Sequence, residues 1–234
     1  MIRNGEIYFN NKSSLDLNMK LENYPIIPLA SEEYEKITVE GRNGSLILNK
    51  NTYPDKELQF VFTRISDEIE NLDEIYDWLT IMKDNKLFYG RNDRVYMVKK
   101  IEIGDFEQEF KTFGEIEVKF ICEPFLSDIY EIEHDIIKSG FYFYYTGTAP
   151  ADSIIKVYGS GNIQITIDEE VMQILDVDEY VVIDSKLMQV RDKNGQSKDF
   201  DTIGDFIELE NGKHTVTFSS NVTKVNIKYT TKYK

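Results

Sequence analysis

From Glu115 to Cys122 the chain alternates polar and apolar side chains, Glu-Ile-Glu-Val-Lys-Phe-Ile-Cys, with Gly114 before the run and Pro124 after it. A period of two is the mark of a strand with one wet face and one buried face, and it is incompatible with the 3.6-residue period of an amphipathic helix. Other strand-like runs fall at 7–9, 37–40, 46–48, 58–62, 86–89 and 95–103. They recur at 141–145, 154–158, 163–167, 180–184, 187–190, 206–209, 215–218 and 225–229. Turn-forming residues separate them, among them 10–14, Gly41-Arg42-Asn43-Gly44, 159–162, Lys193-Asn194-Gly195 and Asn211-Gly212-Lys213. Glycine and asparagine tolerate positive φ, so tight reversals are expected there. One segment reads otherwise. Asp67 and Glu70 stand at capping-box spacing, and Ile69, Leu72, Ile75, Tyr76 and Leu79 fall on one helical face with Trp78 beside it, which predicts a helix over 67–80. The chain is therefore mainly β. It divides near residue 128 into strands around a single helix and, after a polar join over 127–139, an all-strand half of antiparallel sandwich type.

Composition narrows the function more than the fold. Hydrophobic residues make up 41% and aromatics 13%, enough for packed cores and against disorder. No apolar run approaches the ~20 residues that cross a bilayer. The opening Met1-Ile2-Arg3-Asn4-Gly5-Glu6 lacks the charged-then-apolar pattern of a signal peptide, so folding in a cytoplasm is expected. The net charge of −15 opposes nucleic acid and anionic membranes as partners. It is spread evenly, with 24 acidic and 16 basic side chains in residues 1–127 and 18 and 11 in residues 128–234, so neither half hides a basic surface. Cys122 is the only cysteine, which excludes an internal disulfide, and its alternation with Phe120 and Val118 marks it as a buried strand residue.

Each motif that resembles a site has a plainer reading. Gly159-Ser160-Gly161 has no third glycine and leads into a strand, so it lacks the helix N-terminus that binds phosphate and reads as a turn. In Arg191-Asp192-Lys193-Asn194-Gly195 the glycine comes too early for a calcium loop and no bidentate Glu follows, so a hairpin turn is expected. Glu32-Glu33, Asp168-Glu169-Glu170 and the acids of 176–179 read as solvated loops. His134 is placed in the join and His214 in a turn, neither with Cys or His at ligand spacing, so no metal and no cofactor is expected. No Gly-x-Ser-x-Gly elbow occurs and no pair of carboxylates stands out, so no catalytic residue is assigned.

An ordered set of segments is similar to the distal tail protein (Dit) family of long-tailed, non-contractile phages of Gram-positive hosts. It comprises Phe9 and Ser13-Ser14, then Ile37-Thr38-Val39-Glu40-Gly41-Arg42-Asn43-Gly44 with Leu46, Trp78-Leu79, Lys86-Leu87-Phe88-Tyr89 and Val118-Lys119-Phe120-Ile121-Cys122-Glu123-Pro124. The second half adds Ile154-Ile155-Lys156-Val157-Tyr158-Gly159-Ser160-Gly161-Asn162-Ile163, Val182-Ile183-Asp184-Ser185, Val190 and the stretch from Gly204 to His214. The sequence departs from the family where a Pro is expected after Phe206 and an Asn at His214.

The resemblance implies a ring-forming N-terminal domain over 1–127, a β-sandwich with one helix and a protruding hairpin. It implies a galectin-like β-sandwich, similar to carbohydrate-binding modules, over 135–234. Copies would form a hexameric ring at the tail tip, possible as monomers when purified. The ring would join the tail tube protein to the tail-tip protein or tail-associated lysin and, in some phages, to receptor-binding proteins. The projecting hairpin is expected over 95–122 with its turn near 105–114. Ring contacts are expected at Gly41, Arg42, Asn43, Gly44, Asp105, Phe106, Phe110 and Phe113. Two other readings compete: a free-standing carbohydrate-binding adhesin, and a cell-wall hydrolase of the tail tip. The aromatic run Phe141-Tyr142-Phe143-Tyr144-Tyr145 bears on sugar binding, with core packing and interface contact the preferred reading.

Overall fold

The computed structural model describes residues 5–65, 72–104 and 114–234. Its contacts cluster into two compact units, Met1–Ser127 with Lys234 and Asp128–Tyr233.

In the first unit, β1 (Tyr8–Phe9) and β2 (Lys12–Ser13) form a minimal hairpin. Its turn residues Asn10 and Asn11 have φ of 49° and 64°, a left-handed conformation that asparagine adopts more readily than other non-glycine residues. β3 (Met19–Leu21), β4 (Tyr34–Thr38), β5 (Ser45–Asn49) and β6 (Lys56–Arg64) follow, then α1 (Leu72–Thr80), β7 (Lys86–Phe88), β8 (Arg94–Ile103) and β9 (Glu115–Ile136). The main sheet runs β3-β6-β9-β8-β7-β1-β2. Alternation in β6 turns Leu58, Phe60 and Phe62 inward against Ile116, Val118, Phe120 and Cys122 of β9, with Leu58 opposite Phe120 and Phe60 opposite Val118. Helix α1 closes this core with Ile75, Trp78 and Leu79. Each large apolar side chain so buried contributes roughly 1.5–3 kcal/mol, and edge-to-face pairs fix the rings, Phe9 on Trp78 at 5.9 Å and Phe9 on Phe120 at 5.3 Å. Tyr76 is exposed rather than on the buried face. At 100° per residue, the stripe centred on Ile75, Trp78 and Leu79 leaves position 76 at its rim. The expected cap at Asp67 and Glu70, with Ile69, lies outside the described residues.

Two expectations for the middle of the chain fail. Pro124 does not end the strand, and residues 127–136 are no join, because β9 continues through both to Ile136. Proline is tolerated in a strand where its missing N–H is not needed, and the last partner of β6 is Cys122, two residues earlier.

The second unit contains β10 (Phe141–Tyr145), β11 (Ala151–Gly159), β12 (Gly161–Ile167), β13 (Glu170–Val177), β14 (Tyr180–Asp184), β15 (Gln189–Asp192), β16 (Thr202–Ile203), β17 (Glu208–Leu209), β18 (Gly212–Phe218) and β19 (Val222–Tyr233). One sheet runs β15-β14-β11-β19 and takes in the end of β9, with β17 added to β11. The other runs β10-β18-β12-β13-β16. Ile155, Val157, Ile183 and Ile227 of the first sheet and Phe143, Ile165, Ile174 and Val216 of the second share one buried cluster. This is a sandwich with an apolar interior. β13 was not expected. Acids at both its ends read as loop, yet Met172 and Ile174 are buried between outward Val171 and Gln173. The molecule is mainly β, two β units with one α-helix among the described residues.

Candidate functional site

The least self-sufficient part of the molecule is residues 22–52. All are exposed except half-buried Pro25 and Ala30. β4 and β5 pair only with each other among the described residues, in a two-stranded sheet of their own with Tyr34 opposite Asn49 and Thr38 opposite Ser45. The turn is closed by Arg42 N–H donating to Val39 O at 3.2 Å. Gly41 and Gly44 have φ of 79° and 82°, and a Cβ at either would meet nothing within 4 Å, so glycine is needed for the backbone angle alone. At the base, Glu33 N–H donates to Thr52 O at 2.8 Å and Lys50 N–H to Glu33 O at 2.9 Å. Before β4 the chain forms no regular element, with Pro25 and Pro28 restricting the backbone. Ile26 is 91% exposed and Ile47 63%, with Tyr24, Leu29, Ile37 and Leu48 exposed beside them. An isolated two-stranded hairpin is marginal in water. Among the described residues both outer edges of this hairpin are unpaired, and the apolar side chains beside them are bare.

Of the residues expected at a contact surface, Gly41, Arg42, Asn43 and Gly44 form the tip of this arm. Asp105, Phe106, Phe110 and Phe113 lie outside the described residues. The segment 95–122, expected to project, supplies β8 and β9 to the main sheet, with Val95, Val98, Ile116 and Val118 buried. Sequence reasoning passed over 22–31. The available signal was the pair of prolines in Tyr24-Pro25-Ile26-Ile27-Pro28-Leu29, which bars the run from a helix or a central strand.

The second unit holds an open cleft of about 570 Å³ lined by Ile167, Asp168, Glu169, Glu170, Asp205, Phe206, Ile207, Glu208, Glu210 and His214. His214 lies in strand β18, not in a turn, and is buried. Its Nδ1 is 2.7 Å from Asp168 Oδ2 and its Nε2 is 2.7 Å from Glu210 O, while Asp168 Oδ1 accepts Thr215 N–H at 2.7 Å. Both ring nitrogens are thus occupied in tying β18 to two loops. The six acids of the cleft are all exposed, whereas a general acid for sugar hydrolysis sits in an apolar setting that keeps it protonated. His134 lies in β9, not in a join. Its ring is 4.6 Å from Phe143, Nε2 is 3.2 Å from Tyr229 Oη, and burial lowers its pKa. No His, Cys, Asp or Glu group among the described residues is arranged to hold a metal. Cys122 is fully buried, and burial pushes its thiol up to about 12, so it is not a nucleophile. Asp192 accepts Asn194 N–H at 2.9 Å and Gln196 N–H at 2.8 Å, and backbone hydrogen bonding holds its carboxyl below the usual range. That segment is a hairpin turn.

The architecture defines a class: a two-unit β protein with an exposed two-stranded arm. Residues 146–233 match the family described as the siphovirus-type tail component, C-terminal domain. The whole fold matches the crystal structure of SPP1 Dit (gp 19.1), described as a paradigm of hub adsorption apparatus in Gram-positive infecting phages. The TM-score is 0.66 at 15% identity, over 99% of this chain and 100% of that one. No curated protein sequence matches. The C-terminal part of the chain thus matches the siphovirus-type tail component domain, and the fold of the whole chain is that of SPP1 Dit.

Proposed function

We propose that copies of this chain close into a ring, hexameric in the virion, at the distal end of the tail. The ring joins the tail tube protein to the tail-tip protein or tail-associated lysin, with receptor-binding proteins as further partners in some assemblies. The chain is made in the host cytoplasm and makes or breaks no covalent bond itself. The single observation that carries this reading is the arm of residues 22–52, with both hairpin edges open among the described residues and its apolar side chains uncovered. A ring needs a heterologous contact that closes under rotation, and an edge strand supplies one, since backbone hydrogen bonds set register and alternating side chains set selectivity. The exposed acids of the cleft argue against a wall hydrolase.

The test is negative-stain electron microscopy and mass photometry of the full chain, alone and with its neighbouring tail tube protein. The wild type should give closed rings in at least one condition, and an Ile37→Asp, Ile47→Asp double variant should stay at monomer mass in both. Monomers throughout for the wild type, as a solitary adhesin would give, overturn the reading, as do rings from the variant.

A further inference from the structure

The sequence holds four Asn-Gly pairs, beginning at Asn4, Asn43, Asn194 and Asn211. In such a pair the asparagine side-chain carbonyl and the next backbone nitrogen can close a five-membered ring, and a glycine leaves that nitrogen uncrowded. Asn4 lies outside the described residues, and the fold treats the other three pairs differently. Asn211 Nδ2 donates to Gly147 O at 3.0 Å, and Gly212 stands opposite Tyr145 in the β10–β18 ladder. Gly195 N–H donates to Asp192 O at 3.0 Å, while Asn194 N–H and Nδ2 reach the Asp192 carboxylate at 2.9 Å and 3.4 Å. Asn43 is exposed at the tip of the arm. Neither its side chain nor the Gly44 N–H has a hydrogen-bond partner among the described residues. A Cβ at Gly44 would meet nothing within 4 Å, so the space for ring closure is open.

We propose that Asn43 is a self-modification site, converting to aspartate and isoaspartate in the unassembled chain. The Gly44 nitrogen, its proton lost to solvent base, attacks Asn43 Cγ. The N–Cγ bond forms, the Cγ–Nδ2 bond breaks, and the amide nitrogen leaves as ammonia. Water then opens the cyclic imide at Cγ to give aspartate, or at the main-chain carbonyl to give isoaspartate. Water is the only co-reactant. Either product adds a negative charge at the tip, and isoaspartate also inserts a methylene into the main chain of a turn that sets the register of β4 against β5. On the ring reading above, assembly covers the tip and stops the reaction, so only subunits left unassembled lose competence with age.

The experiment incubates the full chain in mildly alkaline buffer, digests it at acid pH to halt the reaction, and follows each Asn-Gly peptide by mass and by isoaspartyl methyltransferase labelling. Asn43 should convert at least about tenfold faster than Asn194 or Asn211, the factor expected when one hydrogen bond must first break. In urea the three rates should converge, which shows that the fold and not the local sequence sets the difference. Aged wild type should lose ring-forming chains in proportion to converted Asn43, and an aged Asn43→Gln variant should not. Equal rates in the native chain, or faster conversion at either of the other two sites, overturn the proposal. Rings that convert Asn43 as fast as monomers do would support the modification site and overturn its protection by assembly.

Discussion

At the scale of single residues, Asn10 joins most of the first unit. Its Nδ2 donates to Trp78 O at 3.0 Å and Ile81 O at 2.6 Å, and its Oδ1 accepts Lys83 N–H at 2.8 Å and Asp84 N–H at 3.1 Å. One side chain thereby serves the carbonyls at the C-terminal end of α1, which have no partners within the helix, while Trp78 Nε1 donates to Phe9 O at 2.7 Å on the neighbouring strand. Asn10→Ala removes four hydrogen bonds and adds strain at positive φ, so it should destabilise the first unit by about 2–3 kcal/mol. Trp78 is the only tryptophan and is buried, so its fluorescence in a urea titration reports this unit's unfolding. A shift under ~0.5 kcal/mol would show that Asn10 is a bystander. Gly147 plays a comparable part in the second unit. A Cβ there would lie 2.1 Å from Tyr145 Oη, a hydroxyl that donates to Ala149 O at 2.7 Å and accepts Lys232 N–H at 2.9 Å.

At the scale of elements, the strands that bury one face and wet the other were the most legible, since side-chain parity there is written directly in residue order. The alternation of β9 from Glu115 to Cys122 and the turn at Gly41–Gly44 are clear cases. What hid β13 was charge at its ends, and what hid the later part of β9 was a polar outer face with exposed Tyr130, Glu131 and Glu133. The arm was half legible: its glycine turn is visible in sequence, but exposure of Leu46-Ile47-Leu48 is not, because an apolar strand reads as core whether its cover lies in the same chain or another. Exposure has a consequence for proteolysis. Segments with few tertiary contacts are cut first, and the arm carries Lys36, Arg42 and Lys50. Limited trypsin treatment should cleave the monomer first at one of these three, and assembly should suppress those cuts. First cleavage at Lys193 or Lys198 of the second unit, with the arm intact, would contradict the account of the arm as unsupported.

At the scale of the whole molecule, the arm's apolar surface and the net charge of −15 oppose one another in any assembly. Covering four or five of the arm's large side chains should contribute roughly 5–10 kcal/mol. Two bodies of this charge with centres about 35 Å apart repel by on the order of 10 kcal/mol at ~0.01 M salt, but by less than about 1 kcal/mol at ~0.15 M. The exposed ion pairs within each chain, such as Lys193 with Asp178 at 2.8 Å, change little in this balance, since such pairs are each worth at most about 1 kcal/mol. Screening of the repulsion therefore outweighs its weakening of attractive pairs, and assembly should rise with salt across that range. Light scattering at fixed protein concentration is the measurement: monomer mass at low salt, growing toward ring mass near physiological salt. A mass that falls as salt is added would mean that ion pairs between chains hold the assembly, and that the arm's apolar surface is not what drives it.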